Sequence, residues 1–152
     1  MKLEQQLKVL IDDAANYGVP TGVVELAIAP VLRLFAEQLQ HLEYYVLQNL
    51  EEDWVLTTIA NPQSNQEKKV IYAFVTVQDA ATFQKKTNPD LMAMPIPVAQ
   101  LLFWLFALKQ VDSIIFMEAQ DLSQGVEIER DRLSDLIRQQ IQGLGKTPHN
   151  IA

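Results

Sequence analysis

Leu3, Leu7, Leu10, Ile11 and Ala14 recur at three- and four-residue steps, with Glu4, Gln6, Lys8 and Asp12 on the other side. That spacing predicts an amphipathic helix over residues 2–17. Gly18 suits the position just past its end, and Pro20 lies beyond it. Thr21 can cap a second helix, with Glu25 near its first turns to complement the dipole. Pro30, lacking an N–H, should kink that helix or restart it. Leu32, Phe35, Leu39, Leu42 and Val46 then keep the helical period to about Asn49. Tyr44-Tyr45-Val46 competes as a short strand over residues 43–48, and the continuing register favours helix.

The period changes after that. Residues 53–60 (Asp-Trp-Val-Leu-Thr-Thr-Ile-Ala) and 69–75 (Lys-Val-Ile-Tyr-Ala-Phe-Val) are rich in β-branched and aromatic residues. With the polar turn 61–67 between them they predict a β-hairpin. Asp79 can cap a short helix from Ala80 to Lys86. Asn88-Pro89-Asp90 and Pro95-Ile96-Pro97 bracket a loop, and an apolar helix follows from about Val98 to Lys109. Residues 111–117 read as a third, central strand because Ile114–Met117 is continuously apolar. A turn at Gly125, a short edge strand over Val126–Ile128 and a closing helix over Glu129–Gln142 complete the pattern. Residues 146–152 read as a frayed tail.

The expected fold class is α+β. A small mixed sheet, made of the hairpin and a central strand, packs with helices, and residues 1–50 form a helical N-terminal layer. No repeat or long linker divides the 152 residues, so one domain is expected.

From Asp53 onward the order of features carries a resemblance. A hairpin ends in Ala73-Phe74-Val75-Thr76, and Asp79-Ala80-Ala81-Thr82-Phe83 opens a short helix. An apolar helix, the strand Ile114–Met117, and Glu127-Ile128-Glu129 leading to Leu133 follow. Residues 53–142 thus resemble the N-terminal domain of the SseB (enhanced serine sensitivity) family. Met117-Glu118 stands where that family tends to show Asn-Pro, and residues 1–50 have no counterpart. The resemblance implies a fold more than an activity.

Charge narrows the partners. The net charge is −7, and residues 1–60 hold nine acidic side chains against three basic ones. Such a field repels polyanions, so nucleic acid is not an expected partner. The thirteen apolar-rich residues from Ile96 to Leu108 make about 20 Å of helix, too short for a hydrocarbon core of roughly 30 Å, so no membrane partner is expected either. The first residues show no apolar export segment, and a cytoplasmic location is the expectation.

Chemistry is sparse. With no cysteine, thiolate metal sites and thiol nucleophiles are excluded. His41 and His149 are the only histidines and lie far apart in sequence. A serine nucleophile would need a nearby base, and no Gly-x-Ser-x-Gly elbow or phosphate-binding glycine loop occurs. Neither an enzyme nor a cofactor is expected. The run Glu51-Glu52-Asp53 is the densest acidic cluster, and a solvated turn is its simplest reading.

Aromatic residues remain as candidates. Tyr44 and Tyr45 are adjacent, so on a helix they point about 100° apart and cannot share one core. With Trp54, Glu51 and Glu52 they mark a candidate interface over residues 41–54. Phe103 and Trp104 mark a second, because the helix 98–109 is either core or the seam of a homodimer. A non-enzymatic protein–protein interaction or adaptor role, with an unidentified protein partner, is the leading expectation. The alternative is a regulatory domain that binds a small molecule in a pocket between sheet and helices.

Overall fold

The computed structural model describes residues 1–61, 63–84, 88–118 and 125–146. It opens with α1 (Leu3–Asp12) and a 3-10 turn (Ala14–Tyr17). Next, α2 (Thr21–Val23) passes through a π-helical turn (Val24–Ile28) into α3 (Ala29–Glu37). The strands and helices β1 (Glu43–Gln48), β2 (Thr57–Asn61), β3 (Gln66–Phe74), α4 (Val77–Gln84) and β4 (Met92–Pro97) come next. α5 (Val98–Ala107), β5 (Ser113–Met117), β6 (Gly125–Glu129) and α6 (Arg130–Lys146) close the chain. The result is an α+β fold: helices packed on a mixed six-stranded sheet of order β4-β1-β3-β5-β6, with β2 pairing β3 as well. Among the described strands only the β3–β5 pair is parallel. Among the described residues no helix is long and apolar enough to cross a membrane.

The N-terminal helices follow the predicted stripe. Leu7, Leu10 and Ala14 are buried, and Gly18 takes the left-handed conformation (φ 72°) that ends the 3-10 turn. Pro20, not Thr21, occupies the cap position of α2, where its carbonyl accepts from Val24 N at 3.2 Å. Pro30 falls in the first turn of α3, directly after the π turn. There its missing N–H costs least, because the i→i−4 ladder is already interrupted.

The helical layer ends sooner than the periodicity predicts. Residues 43–48 form strand β1, which corrects both the helix over these residues and the boundary of an all-helical layer at residue 50. Leu39 and Val46 are buried in either reading, but Leu42 is exposed, so the stripe breaks at that point. In a strand, neighbours alternate between faces. Tyr44 and Val46 enter the core beneath the helices, while Leu47 enters a second cluster on the other face.

β4 occupies the stretch expected to be a loop. Its prolines made it read as one, yet the strand parity tolerates them. Val98 N donates to Leu42 O at 2.9 Å, and the register pairs Tyr44 with Ile96 and Val46 with Met94. The N–H groups of Met94 and Ile96 therefore point at β1, and the N positions of Pro95 and Pro97 point outward from the sheet edge. That is where proline is admitted in a sheet, and it also blunts the edge against pairing with other chains.

Two further local expectations change. Trp54 makes only an isolated bridge to Gln48, and the hairpin strand proper starts at Thr57. Thr76 rather than Asp79 caps α4: its Oγ1 accepts from Asp79 N at 3.1 Å, and the helix begins at Val77. The predicted end of that helix at Lys86 lies outside the described residues, as do residues 147–152 of the expected tail, while α6 runs on through Gly143 and Gly145 to Lys146, past its expected end at Gln142. β5 and β6 appear where expected, with β5 interior between β3 and β6.

The two sheet faces are unequal. Tyr44, Val46, Ile71, Ala73, Ile96, Ile114, Phe116 and Ile128 pack beneath the helices as the main core. Leu47, Phe74 and Met117 on the opposite face are covered by Ala80 and Phe83 of α4, a single short helix. Gln6 joins three elements of the main layer. Its Nε2 donates to Leu42 O at 2.9 Å, and its Oε1 accepts from Ala99 N at 3.0 Å. It therefore caps α5 from a distance, since Pro97 at the cap position has no side-chain acceptor. Replacing Gln6 by Ala should lower stability in urea by about 1–3 kcal/mol, because both backbone groups lose their partners. A change within about 0.5 kcal/mol, typical of surface positions, would mean that water replaces the amide fully.

Candidate functional site

The candidate site grows from the turn that follows β1. Asn49 Oδ1 accepts from Glu51 N at 2.8 Å and from Asp53 N at 3.0 Å, while Asn49 N donates to Asp53 O at 2.9 Å. One asparagine thus folds the acidic run into a tight turn, with Glu52 at φ 68°. Glu51, Glu52 and Asp53 are all exposed on it. The returning chain then lays Trp54 against Gln48, and Val55 N donates to Leu47 O at 2.9 Å.

This return opens a groove between α5 and the β4–β1 edge of the sheet, on the helix-covered side. Its volume is about 910 Å³. Trp54, Leu56, Ile71, Ile96, Trp104 and Leu108 supply apolar walls, with Gln48, Gln100 and Gln110 as neutral polar groups. Glu52 and Asp53 are the only ionised side chains among its lining residues. The Trp54 and Trp104 rings meet edge-on, centroids 6.4 Å apart.

The structure brings together Trp54, Trp104 and Glu52, with Glu51 beside them on the same turn. It separates the other candidates. Tyr44 is fully buried, and Tyr45 points to the opposite face, paired with Pro95. Phe103 is 3% exposed and belongs to the core. Most of the apolar surface of α5, including Val98, Leu101, Leu102 and Leu105, is buried within the single chain. Core is therefore the better of its two readings. Sequence reasoning passed over Asn49, Gln100 and Gln110. Only Asn49 left a trace, as an asparagine opening an acidic run.

Tyr44 instead anchors the far end of the sheet. Its hydroxyl donates to Glu118 Oε1 and accepts from His41 N at 3.3 Å, while Gln40 N donates to Glu118 Oε2 at 2.8 Å. Burial, and then the hydrogen bond and negative charge of Glu118, push the phenol far above its ordinary pKa. It stays a neutral donor and ties the α3–β1 connection to the end of β5.

A second polar constellation lies on the other face. Ser113 Oγ donates to Glu127 Oε2 at 2.7 Å, and Lys68 Nζ pairs with the same oxygen. Ser113 is fully buried and its proton is engaged by a carboxylate, so the trio is a structural tie across β3, β5 and β6. Among the described residues no three metal-binding side chains converge. The chain matches no family model, and no curated protein matches it either.

The Lys68–Glu127 pair makes a pH prediction. Burial works to raise the Glu127 pKa, but the hydrogen bonds from Lys68 and Ser113 and the lysine charge outweigh it, leaving it below the usual glutamate value. A depressed folded-state pKa stabilises the fold above the unfolded value of about 4.3 and loses that contribution as pH falls through the folded value. Wild type should therefore be more stable than Glu127→Gln at pH 7, with the gap closing as pH drops below about 4. A gap that stays constant across that range in urea titrations would show that the carboxylate charge contributes nothing.

Proposed function

We propose that the chain is a non-enzymatic interaction module that receives a short segment of a partner protein in the groove between α5 and the β4–β1 edge. The observation that carries this reading is the convergence of Trp54 and Trp104, fifty residues apart in sequence, beside one acidic turn. Tryptophan offers a large contact area at little entropic cost, and it dominates binding hot spots. The groove's lining residues offer carboxylates, amides and rings, which suit binding and orientation.

Charge complementarity specifies the occupant. Glu52 and Asp53 line the groove with negative charge and Glu51 adds to it from the same turn, so the fitting segment carries Lys or Arg next to aliphatic or aromatic residues. A second copy of the chain is a poorer occupant, because each copy carries −7. Addition of the segment as a further strand on β4 is disfavoured by Pro95 and Pro97, leaving side-chain docking as the mode. The resemblance to the SseB family adds an expectation of fold and none of partner. The volume of about 910 Å³ also favours the small-molecule reading, since ligand pockets run roughly 300–1,000 Å³.

Selection from a displayed random-peptide library separates the two. Enriched peptides should combine basic and apolar residues, and their binding should change tryptophan emission. Trp54→Ala should weaken binding at least about tenfold, equivalent to roughly 1.4 kcal/mol, with the fold intact. Glu52→Lys should slow association and weaken its salt dependence. Peptides that bind Trp54→Ala as tightly as wild type would overturn the proposal. So would a library that yields none, while small apolar compounds raise the melting temperature.

A further inference from the structure

A second cavity, of about 530 Å³, opens on the other side of Trp104. Its apolar walls come from Tyr17, which ends the 3-10 turn, from Val19 just beyond it, and from Phe103, Trp104 and Phe106 of α5. The rings are in mutual contact, with Tyr17 5.2 Å from Phe103 and 5.8 Å from Trp104 between centroids. The polar side is cationic. Arg130, Ser134 and Arg138 recur every four residues on α6, which puts them on one helix face. Lys109 adds a third positive charge from the end of α5.

These cations are poorly neutralised. Arg130 Nε donates to Val111 O at 3.1 Å, which fixes its stem, while its Nη2 lies 3.8 Å from Asp131, beyond hydrogen-bond reach. Arg138 pairs with Asp135 at 3.2 Å, but both side chains are more than 60% exposed, so water screens the pair. Lys109 makes none of the ion pairs found among the described residues. Among the described residues no acidic side chain lines the cavity itself. On a chain of net charge −7, an aromatic cavity lined by three cations and no anion calls for a ligand of matching chemistry.

We propose that this cavity binds a free amphiphilic carboxylate: an apolar chain held against the α5 rings, with its carboxylate held by Arg130, Arg138 and Lys109. Guanidinium groups present paired donors that match a carboxylate, and the apolar wall rewards the tail. A singly charged head is favoured over a phosphate because Asp131 and Asp135 stand close behind the arginines. The site is separate from the peptide groove, although Trp104 forms a wall of both.

The chain has two tryptophans, so Trp54→Phe leaves Trp104 as the sole emitter in the full-length protein. Titration with decanoate should give a saturable change in its emission and a higher melting temperature. Decyltrimethylammonium, with the same tail and the opposite charge, should bind at least tenfold more weakly. Lys109→Glu combined with Arg138→Glu reverses two exposed charges and should weaken decanoate at least tenfold while the free protein stays folded, its melting temperature falling no further than the loss of the exposed Arg138–Asp135 pair allows. Ala107→Phe keeps every charge, adds no second emitter, fills the cavity and should abolish the response. The proposal is overturned if decanoate gives no saturable change, if the cationic amphiphile binds equally well, or if the charge-reversed variant binds as wild type does. Tighter binding of decyl phosphate than of decanoate would overturn the assignment of the head group.

Discussion

The alternation of Tyr44, Tyr45, Val46 and Leu47 between the two sides of the sheet is the constraint that the other features share. β1 lies between β4 and β3, so its register sets which residues of both neighbours meet the helices. Tyr44 and Val46 point under the helices and Leu47 points away. A slip of one residue would exchange these sets and leave the Tyr44 hydroxyl without Glu118. The same register places Gln48 opposite Trp54, and this bridge brings the acidic turn up against α5. The groove is a consequence of how β1 ends.

The aromatic residues of the helical side form a continuous path. Trp54 meets Trp104, and Trp104 meets Tyr17 and Phe103, with ring centroids 5.8 to 6.5 Å apart at each step. This path runs from the acidic groove to the cationic cavity, with Trp104 common to both. Charge is therefore sorted across one helix. Glu52 and Asp53 flank one side of Trp104, and Arg130, Arg138 and Lys109 lie beyond the other. A net charge of −7 conceals that division, because local fields, rather than the sum, act on a ligand at contact distance.

Much of the fold was legible from periodicity alone. α1, β3 and β6 and the body of α6 repeat apolar residues at one period, while α5 and β5 announce themselves as unbroken apolar runs, and the core draws on all of them. β1 was not legible, because Leu39, Leu42 and Val46 satisfy a helical step while six residues also suffice for a strand. β4 was hidden by Pro95 and Pro97, whose outward parity depends on a neighbour assigned to a different structure. Gln6 was read as a surface residue by type, and its role is defined only by Leu42 and Ala99, distant in sequence. Of the candidate site, residue type alone picked out Trp54 and Trp104, and the acidic run picked out Glu51 and Glu52. Their meeting rests on the Asn49 turn, which is built from bonds two and four residues apart, and on the path of α5, which no local pattern encodes.

Nuclear Overhauser contacts along residues 43–48 test the central role of β1 most directly. The register makes Tyr45 and Pro95 a non-hydrogen-bonded pair, the closer of the two antiparallel pair types. The account predicts a strong contact between their α-protons and extended backbone shifts from Glu43 to Gln48. Sequential amide–amide contacts running unbroken from Glu37 through Gln48 would show a continuous helix, and would remove both the sheet register and the groove built on it.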